Sequence, residues 1–401
     1  MKAPVIIVDL GFGDCGKGLA VDHQVAADPD RSLVIRFSGG HQVGHTVCRG
    51  GVRHTFSNFG SGTLLGVPTY YLPITTVFPP SMLIEAESLG KISPKVFLDP
   101  LVMVTTPWDI ALNRARERCK NHGSCGVGFG TTVERHLAGV ALHAKDLVSP
   151  WVARQKLKAV AAFSADRAMG TEYQDAYLKE SAHLDGEAFL RDCAKALDEF
   201  VEIATTDELP TSRDRWVMEG SQGIMLDQVH GLFPHVTRAN TTSENAFEFL
   251  RERGRIAGGP VTVRYVSRCY QNRHGNGPMS DEREIPLVHN EAEANGSNRW
   301  QGSFRVGELD PELLNYALET DRIFHSGFDV RRELVITCLD QRPGFDVGAL
   351  VASLRTRFDA IWESRGPSAA TLSLREEPVD RSAPNRTARV PDSLSPARAA
   401  G

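Results

Sequence analysis

Residues 11–18 read Gly-Phe-Gly-Asp-Cys-Gly-Lys-Gly, directly after the apolar run Val5–Leu10 and directly before a helical pattern that starts at Leu19. A strand, a loop spaced G-x-x-x-x-G-K and a helix, in that order, make a phosphate cradle. Its glycines let backbone N–H groups converge on phosphate oxygens, the helix start adds a positive pole, and Lys17 neutralises charge. This feature constrains the whole fold, because it needs a buried strand feeding a helix. Four more short runs, Leu33–Phe37, Val217–Glu219, Val261–Val266 and Leu334–Leu339, are apolar and β-branched enough to be buried strands. Amphipathic stretches lie between them: Leu19–Ala27, Trp108–Lys120, Trp151–Phe163, Glu187–Ala204, Ser243–Arg253 and Val347–Glu363. The alternation predicts an α/β, P-loop-NTPase-like fold, with a largely parallel central sheet flanked by helices and inserted helical and loop subdomains.

The loop departs from the common pattern at one place. Gly18 stands where a Ser or Thr hydroxyl normally holds magnesium. Asp14, inside the loop, is the natural replacement, since a carboxylate among phosphates makes sense with a hard cation between them. Gly18, and the lack of a recognisable magnesium aspartate on a second strand, disfavour an ordinary P-loop kinase or GTPase. A second loop, Gly39-Gly40-His41-Gln42-Val43-Gly44-His45-Thr46, also follows an expected strand. Its glycines allow close backbone approach to a ligand and its histidines could act on one. Taken alone, it fits a glycine-rich turn with a structurally satisfied histidine better.

The rest of the chain sets limits. It has 401 residues with 45 Lys plus Arg and 50 Asp plus Glu, a net charge of −5, which argues against a nucleic-acid partner. No apolar run approaches the ~18 residues of a membrane helix. The start of the chain lacks a signal-peptide pattern. Seven cysteines, an odd number with no C-x-x-C pair, point away from a disulfide framework and toward a reducing, cytoplasmic setting. Gly275–Ser297 reads as a mobile loop, and the Arg-, Pro- and Ser-rich stretch 376–401 as a disordered tail behind a single domain spanning 1–375.

A third block joins the two loops: Glu219-Gly220-Ser221-Gln222-Gly223-Ile224-Met225-Leu226-Asp227, His230-Gly231, Pro234, Val236-Thr237 and Asn240-Thr241-Thr242. Together with G-D-x-G-K-G and G-G-H-x-x-G-H-T, this block makes the chain resemble the adenylosuccinate synthetase family. Weaker echoes are Thr337-Cys338-Leu339-Asp340, similar to a guanine-reading T-K-L-D, and Ser364-Arg365-Gly366-Pro367, similar to a base-binding S-x-G-P. The resemblance implies a GTP- and magnesium-dependent ligase, a homodimer. Asp14 would take a proton from a purine base, whose 6-oxygen attacks the γ-phosphoryl of GTP. His45 would stabilise the transferring group, Lys17 would bind phosphate, and Gln222 would position the purine. The 6-phosphoryl group then leaves as an amine, aspartate in the family, attacks. By the same likeness Gly13, Cys15, Gly16, Lys17, Gly18, Gly44, His45, Thr46, Asp340, Ser364 and Gly366 would contact GTP. The Asp14 carboxylate and the Gly44 carbonyl would hold magnesium, and Thr237 the substrate phosphate.

The departures fall on the substrate side. Gln42 replaces the family's substrate-binding asparagine, and Cys125 replaces a phosphate-binding threonine. An arginine that the partner subunit lends to that phosphate aligns with Gly139, with Arg135 nearby as a substitute. The family's aspartate-binding T-T-G-R-x-R-R becomes Asn298-Arg299-Trp300-Gln301-Gly302-Ser303-Phe304-Arg305, where only Arg299 and Arg305 could face a carboxylate. The pattern reads as a divergent member with the chemistry kept and the substrates open. Two further readings stand beside it: the same machinery on a different substrate pair, and a GTP-binding regulatory protein or pseudoenzyme, for which neither Asp14 nor His45 is needed.

Overall fold

The computed structural model describes residues 2–120, 123–254, 259–288 and 300–376. Ten strands form one sheet. From one edge they run Leu372–Leu374, Ala360–Ser364, Val330–Thr337, Val261–Arg268, Val5–Asp9, Arg215–Glu219, Ser32–Arg36, Thr69–Tyr71, Val96–Leu98 and Val201–Ile203. All neighbours are parallel except the first pair. The first strand in sequence therefore lies in the middle, where Val5 pairs with both Val217 and Thr262.

Side chains alternate along these strands, as a sheet covered on both faces requires. Ile7, Val34, Val217, Val266 and Val335 pack against Leu19, Ala20, Val21 and Val25 of the helix Lys17–Ala26. Ile6, Val8, Ile35, Met218, Tyr265 and Ile336 face the other way, onto Phe247, Leu250, Leu314 and Leu318 from the helices Glu244–Glu252 and Pro311–Arg322. Each such buried aliphatic contributes about 1.5–3 kcal/mol before entropy is counted. The inserted helical part lies between the strands Val96–Leu98 and Val201–Ile203 and comprises Pro107–Lys120, Phe129–Leu137, Pro150–Ala168, Gln174–Ser181 and Gly186–Glu199. Three small two-stranded sheets stand apart from the large one among the described residues: the antiparallel pairs His45–Arg49 with Val52–Phe56 and Gln271–His274 with Phe304–Gly307, and the parallel pair Thr76–Val77 with Met103–Val104.

The five expected strands form, with ends shifted by a few residues. Two expected helices are too long. Glu187–Ala204 is helical only to Glu199, and Val201–Ile203 becomes the edge strand. Val347–Glu363 is helical only to Ser353, and Ala360–Ser364 pairs in parallel with Val330–Thr337. In both, sheet pairing overrides a helical spacing that carries on through the sequence. Of the stretch read as a mobile loop, residues 275–288 are irregular, but Arg273 and Arg305 hold the carbonyls of Gly275, Asn276, Gly277 and Pro278. Residues 289–297 and 377–401 lie outside the described residues. No described helix is long and apolar enough to cross a membrane.

Candidate active site

Parallel strands end together, so the loops that leave their C-terminal ends meet at one rim, beside the strand where the order reverses. A cavity of about 410 Å³ opens there. Loop 11–18 enters it from Val5–Asp9, Gln42 to Thr46 from beyond Ser32–Arg36, and Gln222 from Arg215–Glu219. Arg268 arrives at the end of Val261–Arg268, Cys338, Asp340 and Gln341 beyond Val330–Thr337, and Gly366 beyond Ala360–Ser364. Cys125, His274 and Gln301 line it from elsewhere. Three described non-glycine residues have positive φ: Asp14 (60°), Gln222 (46°) and Cys338 (61°). All three border this cavity. Such conformations cost about 1–3 kcal/mol each and persist only where the surroundings impose them.

The phosphate loop is held from below. Buried Asp9 accepts from the Gly11 N–H at 2.9 Å, the Cys15 N–H at 3.1 Å and Lys17 Nζ at 3.0 Å. Lys17 also donates to the Gln222 carbonyl. Gly16, with φ +98°, is the helix N-cap and has no side chain to occupy the first N–H groups, which leaves them for an anion. Asp14 projects into the cavity. Burial raises its carboxyl pKa, against the opposing charges of Lys17 and Arg268. His274 Nδ1 lies 4.0 Å from its Oδ2, and Arg268 Nε donates to its backbone carbonyl at 2.7 Å.

His45 sits at the start of its hairpin, where its Nδ1 is 2.8 Å from Glu219 Oε1. Glu219 is wholly buried. Burial alone would raise its pKa, but His45, Arg36 (3.8 Å away) and Ser61 hold it down to about 2. The carboxylate is thus fixed as an anion behind the imidazole. Burial pushes the His45 pKa down, with Glu219 opposing. A neutral imidazole that donates Nδ1–H to Glu219 turns Nε2 away from that carboxylate.

Asp14, Lys17, His45, Gln222, Gly13, Gly16, Gly18, Gly44, Thr46, Asp340, Gly366, Gln42 and Cys125 all line the one cavity. Both amide atoms of Gln42 are buried without a hydrogen-bond partner, as suits a group waiting for a ligand. Burial raises the Cys125 thiol to about 11, so a neutral S–H stands at this position. Cys15 does not line the cavity; its buried Sγ contacts the Gly13 carbonyl and Asn272. Ser364 is buried, bonded to Gly366 and Thr371, and supports the loop from behind. Thr237 and Arg305 are also absent from the lining. Arg305 lies on the strand Phe304–Gly307, committed to Glu282 and to the Gly275 and Gly277 carbonyls. Arg299 is outside the described residues. Arg135 is no substitute for a phosphate arginine: wholly buried, it grips Asp109 with a fork of N–H groups and gives the rest to the Val104 and Val140 carbonyls. Gly139 occupies the exposed left-handed turn (φ +82°) behind Phe129–Leu137. Trp300 packs on Gly126, with the Arg114 and Arg118 guanidinium groups 5.7 and 5.8 Å from its ring. Sequence reasoning gave no role to Glu219, Ser221, Arg268 or His274. Glu219 and Ser221 stand inside a recognised motif, but their partners are 174 and 183 residues away.

The adenylosuccinate synthetase family model matches residues 6–347. The adenylosuccinate synthetase of Anaeromyxobacter dehalogenans is 28% identical, over 96% of this chain and 88% of its own length. That of Helicobacter acinonychis is 27% identical, over 70% of this chain and 67% of its own. A solved structure of fully ligated adenylosuccinate synthetase from Plasmodium falciparum superposes with a TM-score of 0.70 at 17% identity, covering 93% of this chain and 99% of that one. Cyanophage S-2L succinoaminodeoxyadenylate synthetase, bound to dGMP and to dATP as an energy donor, gives 0.60 at 18% identity, covering 93% and 95%. With the motifs, the sheet and the cavity in agreement, this chain belongs to the adenylosuccinate synthetase family of ligases.

Proposed function

We propose that the chain is a GTP- and magnesium-dependent ligase that replaces the 6-oxygen of a purine nucleotide with an amine. The observation that carries this reading is the convergence of Asp14, Lys17, His45 and Gln222 on one cavity. Asp14 takes the proton from N1 of an oxo-purine. A carboxylate placed at the N1–H is the acceptor that step needs. The 6-oxygen then attacks the γ-phosphorus and GDP leaves. His45, backed by the Glu219 anion, sits beside the transferring group, and the loop N–H groups and Lys17 hold the phosphates. An amine next attacks C6, the C6–O bond breaks with its oxygen departing on inorganic phosphate, and the proton that the amine nitrogen sheds goes to that phosphate. Gln222 orients the base, and Asp340 can accept from two N–H groups of guanine.

Asp14 and exposed Gly44 both line this cavity, and a carboxylate and a carbonyl are the hard oxygen donors that suit magnesium. When bound, the cation would neutralise charge on the transferring phosphoryl group. A homodimer belongs to the same proposal.

A second reading keeps the chemistry and changes the pair. Cys125 in place of a hydroxyl, and the commitment of Arg135 and Arg305 to other groups, favour it. The cyanophage relative, with dATP as its energy donor, also supports it, because this fold serves more than one nucleotide. The deciding experiment is phosphate release from GTP and magnesium with a matrix of oxo-purine monophosphates and amino acids. Turnover with inosine monophosphate and aspartate supports the first reading, and turnover only with another pair supports the second. Release that no acceptor stimulates would overturn both.

A further inference from the structure

We propose that Ser221, backed by Ser38, is a specificity-determining residue: it commits the Gln222 amide to presenting only N–H donors to the cavity. This rests on the reading that an oxo-purine lies opposite Gln222. Gln222 is held at three points. Its backbone has φ +46°, its carbonyl accepts from Lys17, and its Oε1 accepts from Ser221 Oγ at 2.7 Å. Ser221 Oγ lies 2.9 Å from Ser38 Oγ, and the Ser221 N–H donates to that same Ser38 oxygen at 2.9 Å. Both serines are buried. Glycine at position 39, with φ +67°, is what admits this packing, because a Cβ there would collide with the Ser221 hydroxyl.

With Ser38 donating to Ser221 and Ser221 to Gln222, each hydroxyl makes its one donation. The amide oxygen is occupied, and both hydrogens on Nε2 remain for a ligand. A group facing them has to be an acceptor, such as an oxo oxygen, and an amino group is opposed. In the proposed reaction the oxygen on C6 becomes N–H, so the same device favours substrate and disfavours product.

The test measures dissociation constants for inosine monophosphate (6-oxo) and adenosine monophosphate (6-amino) by calorimetry. Both ligands are titrated into one preparation each of the full chain, Ser221→Ala and Ser38→Ala. A ratio taken on one preparation is independent of its folded fraction. Wild type is expected to favour the oxo nucleotide by about tenfold or more, because a site built for one polarity rejects the other. In Ser221→Ala the freed amide can rotate, and the preference falls to within about threefold, mainly through tighter binding of the amino nucleotide. Ser38→Ala falls between, and carries the test if Ser221→Ala does not fold. An unchanged ratio in the variants, or a wild-type preference for the amino nucleotide, overturns the relay. A wild type that binds neither nucleotide overturns the reading beneath it, and the relay with it.

Discussion

Two walls of the same cavity are built on different principles. On one, Asp14, Lys17, His45 and Gln222 leave strand ends or hairpins that the sheet fixes, with Asp14 and Gln222 in strained backbone and the side chains of Lys17, His45 and Gln222 backed by buried partners. On the other, Cys125 stands where a phosphate-binding hydroxyl was expected, and the arginines that could recognise an anion stay out of the lining: Arg135 is turned to Asp109 and Arg305 to a loop. Phosphoryl transfer asks for positioning and charge neutralisation whatever the acceptor, so the first wall is constrained by the reaction. The second is constrained only by which molecule is read, and a fold can change it without losing stability.

The comparison breaks most visibly at Asp14. Asn accepts positive φ better than other residues, so Asp14→Asn removes the base with little added strain. Acceptor-dependent phosphate release should fall by about 10²–10⁴, while GTP binding by calorimetry remains measurable. Unchanged turnover would remove Asp14 from the chemistry. A carboxyl titration of the metal-free protein gives an independent check, because burial raises the Asp14 pKa. Its side-chain carbon, followed by NMR in wild type against Asp14→Asn, should take up its proton at a higher pH than an ordinary aspartate, with a pKa of 3.8. Protonation at or below that ordinary value would contradict the burial argument.

Arg135 tests the other wall. Removing one partner of a buried pair leaves an uncompensated charge, here Asp109, and costs about 3–5 kcal/mol. Arg135→Met should therefore lower the thermal midpoint by many degrees and leave KM for the acceptor nucleotide unchanged in the folded fraction. A rise in that KM with an unaltered midpoint would make Arg135 a substrate ligand after all.

Half of the first wall was legible from local spacing, since the glycines, Asp14 and Lys17 lie within eight residues of one another, whereas His45 and Gln222 gained roles only from the family resemblance. The second was not. The position of Arg135 near Gly139, where the family resemblance expects an arginine, suggested a ligand, and nothing nearby in sequence reveals that Asp109, 26 residues earlier, claims it. The Val347–Glu363 stretch misled for a related reason. Val347, Leu350, Leu354, Phe358 and Ile361 keep helical spacing throughout, and only the neighbouring strand Val330–Thr337 draws the second half into the sheet. Glu219 lay in plain view within its motif, yet its task depends on a histidine 174 residues away.

That histidine provides the next, smaller effect. In Glu219→Gln the side chain can still accept from His45 Nδ1–H, but the fixed negative charge is gone. A role in tuning and orienting the imidazole predicts a loss of about 10- to 100-fold in kcat, the usual consequence of altering the group behind an active histidine, with KM for GTP moved little. A loss confined to KM would mean that the pair merely shapes the phosphate pocket.

The smallest effect separates the two walls most sharply. Arg305 occupies the position from which the family resemblance leads one to expect a carboxylate ligand for the amine donor. Its guanidinium instead bonds Glu282 at 2.9 Å and two loop carbonyls, and it does not line the cavity. The pair with Glu282 is partly exposed and so contributes little to stability, about 0–1 kcal/mol. Arg305→Ala should then change KM for the amine by no more than about twofold, since no bidentate contact to a carboxylate is lost. If KM rose a hundredfold at constant kcat, the loop would have to release Arg305 toward the cavity on substrate binding. The second wall would then be assembled by the ligand, whereas the first is built beforehand by the fold.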